Sequence, residues 1–208
     1  MATPDFDLYL VTDRTQTRGR DLLWVLQRAL EGGVRAVQLR EKDLNGKDLF
    51  QLADKTRELC DRYQAQLFVN DRIDVALAVD AAGVQLGKTS IPIETARLLL
   101  GPRKLIGYSA HSLEESRSAQ QSGADFLLFG PVYFTSSKAP YGAPQGLEAL
   151  KKIVENVALP VYAIGGIKAD NIIDVRRTCA KGVALISAII GANDPKGAAA
   201  SMVELLRG

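Results

Sequence analysis

The chain has 208 residues, of which 47% are hydrophobic, 24% charged and 6% aromatic, enough for one sizeable core and unlike disordered, collagenous or disulfide-dense sequences. Its 26 Lys and Arg against 24 Asp and Glu leave a net charge of +2, and the signs alternate along the chain, which excludes a broad basic face for nucleic acid. Cys60, Cys179 and the single histidine lack zinc-ligand spacing. No run reaches the roughly 20 apolar residues of a membrane span and no basic-then-apolar leader opens the chain, so a cytoplasmic protein with one domain over 1–208 is expected.

The elements follow in a regular order. Leu8-Tyr9-Leu10-Val11 is an apolar strand ending in Thr12-Asp13, and a helix over 21–31 stops at Gly32-Gly33. A second strand over 34–39 precedes a helix whose buried face is spelled by Leu49, Leu52, Ala53, Thr56, Cys60 and Tyr63. Strands over 67–69 and 83–86 lead to helices over 73–79 and 92–100, the latter opening on Pro92. Further strands over 104–108, 125–129, 159–164 and 182–186 precede helices over 113–121, 147–157, 169–176 and 195–206. Strands apolar on both faces, alternating with helices eight times, predict a compact α/β fold of the (β/α)8 barrel type. The glycine fingerprint of an open dinucleotide-binding sheet is absent after the first strand.

In such a barrel the chemistry sits at the C-terminal ends of the strands. Strand two ends Gln38-Leu39-Arg40-Glu41-Lys42, and the period of two puts Gln38, Arg40 and Lys42 on the inward face. An Arg-Glu-Lys triplet alone reads as a surface ion cluster; at a strand end behind an inward glutamine it favours an anion site. Strand three closes on Asn70-Asp71-Arg72, where Asn70 can donate to an anion and Asp71 can ligate a hard cation, or either can cap the next helix. Ser109-Ala110-His111-Ser112 closes strand five; Ser112 with Glu115 forms a capping box, and His111 belongs to no triad pattern. Gly165-Gly166 and Ile186-Ser187 occupy the two loops that commonly clamp a phosphate. One loop, 132–145, is long enough to act as a shaped lid, and it carries Thr135, Ser137 and Lys138. Cations, hydroxyls and glycine turns with few bases suit a diphosphate ligand set better than hydride transfer or peptide hydrolysis.

The ordered motifs Leu8-Tyr9-Leu10-Val11-Thr12-Asp13, Gln38-Leu39-Arg40-Glu41-Lys42, Val69-Asn70-Asp71-Arg72, Gly83-Val84-Gln85-Leu86-Gly87, Gly130-Pro131-Val132, Thr135-Ser136-Ser137-Lys138, Ala163-Ile164-Gly165-Gly166-Ile167 and Ser187-Ala188-Ile189 resemble the superfamily of thiamine phosphate synthases and thiazole tautomerases over nearly the whole chain. The resemblance implies a transferase that joins an aminopyrimidine diphosphate to a thiazole phosphate with loss of diphosphate, by way of a pyrimidinyl cation. It implies Arg40, Lys42, Asn70 and Lys138 on the diphosphate, Asp71 on Mg2+, and Gln38 and Ser109 against the aminopyrimidine. Thr135, Ser137, Gly166, Ile186 and Ser187 would line the thiazole phosphate end. Arg40, Lys42, Lys138 and Ser109 are the expected catalytic groups, the partners are small phosphate and diphosphate molecules rather than nucleic acid or membrane, and homo-oligomerisation stays open.

Ser90 departs from the synthase pattern, which usually carries a second metal-binding carboxylate three residues after Gly87. That substitution weakens the expectation of Mg2+, with Lys88 as a compensating charge, and together with Gln85 it leans towards the tautomerases, which act without metal. Asp71 and Pro131 lean towards the synthases. The alternatives are therefore a metal-independent carboxythiazole phosphate isomerase and a non-catalytic phosphate-ligand binding protein.

Overall fold

A computed structural model describes residues 3–135 and 143–207. Eight strands, β1 (Leu8–Val11), β2 (Ala36–Leu39), β3 (Gln66–Asn70), β4 (Gly83–Leu86), β5 (Leu105–Ala110), β6 (Phe126–Phe129), β7 (Val161–Ile164) and β8 (Gly182–Leu185), close into one barrel in chain order. Every neighbouring pair is parallel, and β8 returns to β1 with Tyr9 opposite Ala184 while β1 meets β2 with Tyr9 opposite Ala36. Parallel closure demands a crossover on each step. These are α1 (Leu22–Glu31), α2 (Gly46–Arg62), α3 (Ile73–Ala78), α4 (Ile93–Leu100), α5 (Leu113–Gln121), α6 (Gly146–Asn156) and α7 (Ile172–Arg176). After β8 come α8 (Ser187–Ile190) and α9 (Pro195–Arg207).

Alternation along each strand sorts the side chains into two cores. Outward residues such as Leu10, Val37, Val69, Val84, Ile106, Leu127 and Val183 pack beneath the helices, with Leu26, Ala53, Ala96 and Leu150 above them. Inward residues form a smaller cluster in which Phe6, Tyr9, Phe68, Phe126 and Tyr162 plug the barrel. Their ring centroids lie 4.8 to 5.8 Å apart, and most pairs meet edge to face, the arrangement aromatic quadrupoles favour. The plug fills the lower barrel and leaves the upper layer to polar side chains.

Side-chain caps fix three of the helix starts. Asp21 Oδ1 accepts from Trp24 N at 2.9 Å, Asn45 Oδ1 from Asp48 N at 3.0 Å and Ser112 Oγ from Glu115 N at 3.0 Å, each satisfying an otherwise open donor of the first turn. The Glu115 carboxylate reaches back to His111 N at 2.7 Å, one residue before the cap, so the capping box expected at α5 forms in a shifted version. Apart from α8, the main differences from the sequence expectation lie at element ends. β5 runs on to Ala110, which puts Ser109 inside the strand. α7 begins at Ile172 rather than 169, because Asn171 Oδ1 accepts from Lys168 N at 2.8 Å and holds that stretch as a turn. The single turn of α8 was not expected at all. Among the described residues no helix is long and apolar enough to cross a membrane.

Candidate active site

The closed register brings the expected residues to one rim. Asn70 pairs with Gln85, and Gln85 with Gly107; Gln38 faces the same interior and is 2% exposed, its Nε2 lying 3.4 Å from the Tyr9 hydroxyl. Arg40 and Lys42 follow directly on β2, Asn70 ends β3, and Ser109 lies in the upper part of β5. Thr135, Gly166, Ile186 and Ser187 occupy the far side, after β6, β7 and β8. Ser137 and Lys138 lie outside the described residues, as does the middle of the expected lid.

The Arg-Glu-Lys triplet is not a surface ion cluster. Glu41 is 6% exposed, and its carboxylate pairs with neither Arg40 nor Lys42. It accepts from the Thr12 hydroxyl at 2.6 Å and from Arg14 N at 3.1 and 3.2 Å, with the Arg14 guanidinium 3.6 Å away. Thr12 Oγ1 in turn accepts from Arg40 N at 2.9 Å. The loop after β1 and the end of β2 are thus pinned to each other through one buried carboxylate, and the Arg40 backbone is held while its side chain stays uncommitted. Burial pushes the Glu41 carboxyl above its ordinary range, more than the Thr12 and Arg14 donors bring it down. Burial also pushes at Asp13, yet hydrogen bonds from Thr15 and Gln16, with the Arg40 charge nearby, leave it below the usual carboxylate range. Among the described residues neither Arg40 nor Lys42 forms an ion pair.

Asn70 and Asp71 do not cap α3, whose first turn is preceded by Arg72 with no side-chain cap. Asp71 instead adopts a left-handed backbone, φ 61°, a conformation Asp tolerates better than most residues. Its carboxylate accepts from Asn70 Nδ2 at 2.7 Å and from the Ser90 hydroxyl. Ser90 Oγ also accepts from Gly87 N at 2.7 Å, so the residue that replaces the expected second carboxylate serves as a bridge between the β4 loop and Asp71.

The β7 side is built from backbone. Gly165 and Gly166 have φ of 100° and 68°, and a Cβ on Gly166 would stand 2.7 Å from both Phe134 O and Tyr133 Cβ. Only glycine fits that turn without displacing its neighbours. Asn171 Nδ2 donates to Gly166 O at 3.0 Å and Tyr133 N to Gly165 O at 3.0 Å, tying the turn to α7 and to the loop after β6. His111 is exposed, and its Nδ1 sits 2.6 Å from Gly130 O. A carbonyl only accepts, so Nδ1 carries the proton and links the ends of β5 and β6. The cysteines take no part: burial pushes the Cys60 thiol up to about 12, and Cys179 stands exposed and unpaired in a disulfide.

Three residues named in the sequence take structural roles at this rim that sequence reasoning did not give them. Glu41 was hidden by its charged neighbours, Gln85 by its apolar strand, and Ser90 by being read as a missing carboxylate. Period-two counting through Gly83-Val84-Gln85-Leu86 would have placed Gln85 inward, facing the same space as Asn70 and Ser109.

Known proteins resemble this chain over nearly its whole length. The sequence model described as thiamine monophosphate synthase matches residues 8–189. A relative from Geobacter sulfurreducens is 52% identical over 206 residues, covering 99% of this chain and 97% of its own. A thiamine-phosphate synthase of Desulfitobacterium hafniense is 44% identical over 203 residues, covering 98% of both chains. The solved thiamine phosphate pyrophosphorylase of Pyrococcus furiosus superposes with a TM-score of 0.89 at 42% identity, over 97% of this chain and 95% of that one. With a family model matched over residues 8–189 and relatives covering nearly the whole chain, the chain belongs to the thiamine monophosphate synthase family.

Proposed function

We infer that this protein is a thiamine-phosphate synthase, a transferase that joins 4-amino-2-methyl-5-hydroxymethylpyrimidine diphosphate to thiazole phosphate and releases diphosphate. The observation that carries the reading is the convergence of Arg40, Lys42, Asn70 and Asp71 at the adjacent ends of β2 and β3, in a chain that matches the family over residues 8–189. Breaking the bond between the pyrimidine methylene and a diphosphate oxygen builds negative charge on the leaving group. Two cations on a fixed strand end stabilise that charge as it grows. The Arg40 fork suits paired oxygens, Lys42 adds a point charge, and Asn70 donates a hydrogen bond. Lys138 is assigned to the same diphosphate. Gln38 and Ser109 orient the pyrimidine ring so that the thiazole nitrogen meets the cationic methylene on the opposite side. Thr135, Ser137, Gly166, Ile186 and Ser187 hold the thiazole phosphate.

Among the described residues no three His, Cys, Asp or Glu side chains cluster as metal ligands. Asp71 with the Ser90 hydroxyl is a small set of hard oxygens, which fits Mg2+ carried in largely by diphosphate and water. Asp71 would hold it, and the ion would share in neutralising the departing diphosphate.

The test is direct. Purified protein is mixed with the aminopyrimidine diphosphate and thiazole phosphate, with and without Mg2+, and thiamine phosphate is followed; the carboxythiazole phosphate isomer is incubated alone in parallel. Thiamine phosphate formation is expected. Isomerisation without coupling would select a tautomerase, and binding without turnover a non-catalytic protein.

A further inference from the structure

Gln85 is a polar side chain of the inner layer to which no role has yet fallen. It is 2% exposed, its Nε2 donates to Ser109 Oγ at 3.0 Å, and its Oε1 is buried without a hydrogen-bond partner among the described residues. A buried amide that leaves one end unsatisfied carries a cost, which an apolar residue of the same length would avoid. The amide is nevertheless closely seated. Its register partner is Gly107, and a Cβ there would collide with Gln85 Oε1 and with the Phe126 ring. The bare glycine makes the room in which the amide lies.

The orientation of that amide follows from the same count of partners. Turned over, Oε1 would accept from the Ser109 hydroxyl, but the whole NH2 group would be buried without an acceptor. Orphaned N–H groups are rarer in protein interiors than underused carbonyl oxygens, so the arrangement with Nε2 on Ser109 is the favoured one. Ser109 Oγ then accepts from Gln85, and its own proton is left for whatever enters the barrel mouth.

We propose that Gln85 is a positioning residue that sets the hydrogen-bond polarity of Ser109, so that Ser109 meets the aminopyrimidine as a donor to a ring-nitrogen lone pair. The proposal rests on the synthase reading above and adds a residue behind the substrate-facing one. A ring bearing acceptor nitrogens takes up the Ser109 proton at this position; one that presents an N–H must share the hydroxyl oxygen with Gln85 and leaves that proton without an acceptor.

A double-mutant cycle tests this, with binding of the aminopyrimidine diphosphate measured by calorimetry beside steady-state kinetics, on variants whose melting curves show them folded. Gln85→Met keeps the length of the side chain and removes the donor. It should weaken pyrimidine binding and raise its KM by about tenfold, the size of one hydrogen bond, and leave the KM for thiazole phosphate unchanged. In a Ser109→Ala background the same substitution should cost no more than about twofold, because the group it acts through is gone. Gln85→Asn, which withdraws the amide by one methylene, should reproduce the loss and stands in if Gln85→Met does not fold. Equal losses in both backgrounds, or both KM values moving together, would show a merely structural role and overturn the proposal. Wild-type protein that binds the pyrimidine without turnover refutes only the synthase reading, since the cycle is still read in binding; wild-type protein that does not bind it refutes both.

Discussion

The two sides of the barrel mouth are built in different ways. Around β2, β3 and β4 the work is done by side chains, locked from behind: Glu41 through Thr12 fixes the Arg40 backbone, and Ser90 with Asn70 fixes Asp71. Around β7 and β8 it falls to backbone, in the Gly165-Gly166 turn and the short α8 that opens at Ser187. On the proposed synthase reading, the difference matches which end faces a changing charge. A leaving diphosphate gains charge during the reaction and calls for full cations, whereas a phosphate that only anchors its substrate is served by N–H groups and a turn that cannot move.

Removing the cation should therefore be the most severe single change. Arg40→Ala is expected to lower kcat/KM by about 10²–10³ while leaving the fold intact, because the Arg40 contact to Thr12 is made by the backbone N and survives the substitution. Arg40→Lys should recover only part, since the paired fork is lost. Steady-state kinetics alongside a melting curve separates the two effects; a parallel loss of stability would contradict the division between held backbone and uncommitted side chain.

Breaking the other side should look different. Gly166→Ala forces a side chain into a left-handed turn against Phe134 O and Tyr133 Cβ, at a cost of about 1–3 kcal/mol. The expected kinetic signature is a KM for thiazole phosphate raised by about tenfold or more, with kcat less affected than in Arg40→Ala. Equal damage to both KM values would mean that the two ends are not independent.

The lock behind Arg40 gives a smaller effect with a distinctive pH dependence. Glu41→Gln leaves one fewer acceptor for Thr12 and Arg14, and should destabilise by about 1–3 kcal/mol. Because burial raises the Glu41 carboxyl above its ordinary 4.5, the folded chain binds this proton more readily than the unfolded one. Its contribution to stability is therefore complete below 4.5 and is lost as pH rises through the folded value. Denaturant unfolding at neutral pH and near pH 5 should show the gap between wild type and Glu41→Gln widening on acidification. Asp13, held below its ordinary 3.8, acts with the opposite sign and only in stronger acid.

Most of the architecture was legible because a parallel strand covered on both faces must be apolar throughout, and eight such runs separated by amphipathic helices close only one way. The α8 turn was not legible, since four residues carry no period. At the site, inward placement of Gln38 followed from alternation, but charge in a sequence does not reveal burial: Arg40-Glu41-Lys42 looks like a solvated triplet until Glu41 is seen beneath Thr12. Gln85 and Ser90 were obscure for a related reason. Their roles lie in which hydroxyl or carboxylate they hold, 24 and 19 residues away in the chain, and only the barrel register brings those partners together.

Ser90 offers the gentlest way to sharpen the contrast between the two sides. Ser90→Ala removes the hydroxyl between Gly87 and Asp71 and should cost about 1 kcal/mol, with a modest loss of Mg2+ affinity as Asp71 loses one of its two neighbours. Ser90→Asp replaces a donor with a second negative charge against the Asp71 carboxylate. Without a cation the two repel, so this variant should melt lower than wild type in chelator. With Mg2+ the pair becomes a ligand set, and the melting temperature should rise again because the ion binds only the folded chain. Melting curves with and without Mg2+ therefore read the site apart from catalysis. A Ser90→Asp variant whose stability ignores Mg2+ would mean that Asp71 does not face the metal, and the side-chain half of the mouth would then rest on its cations alone.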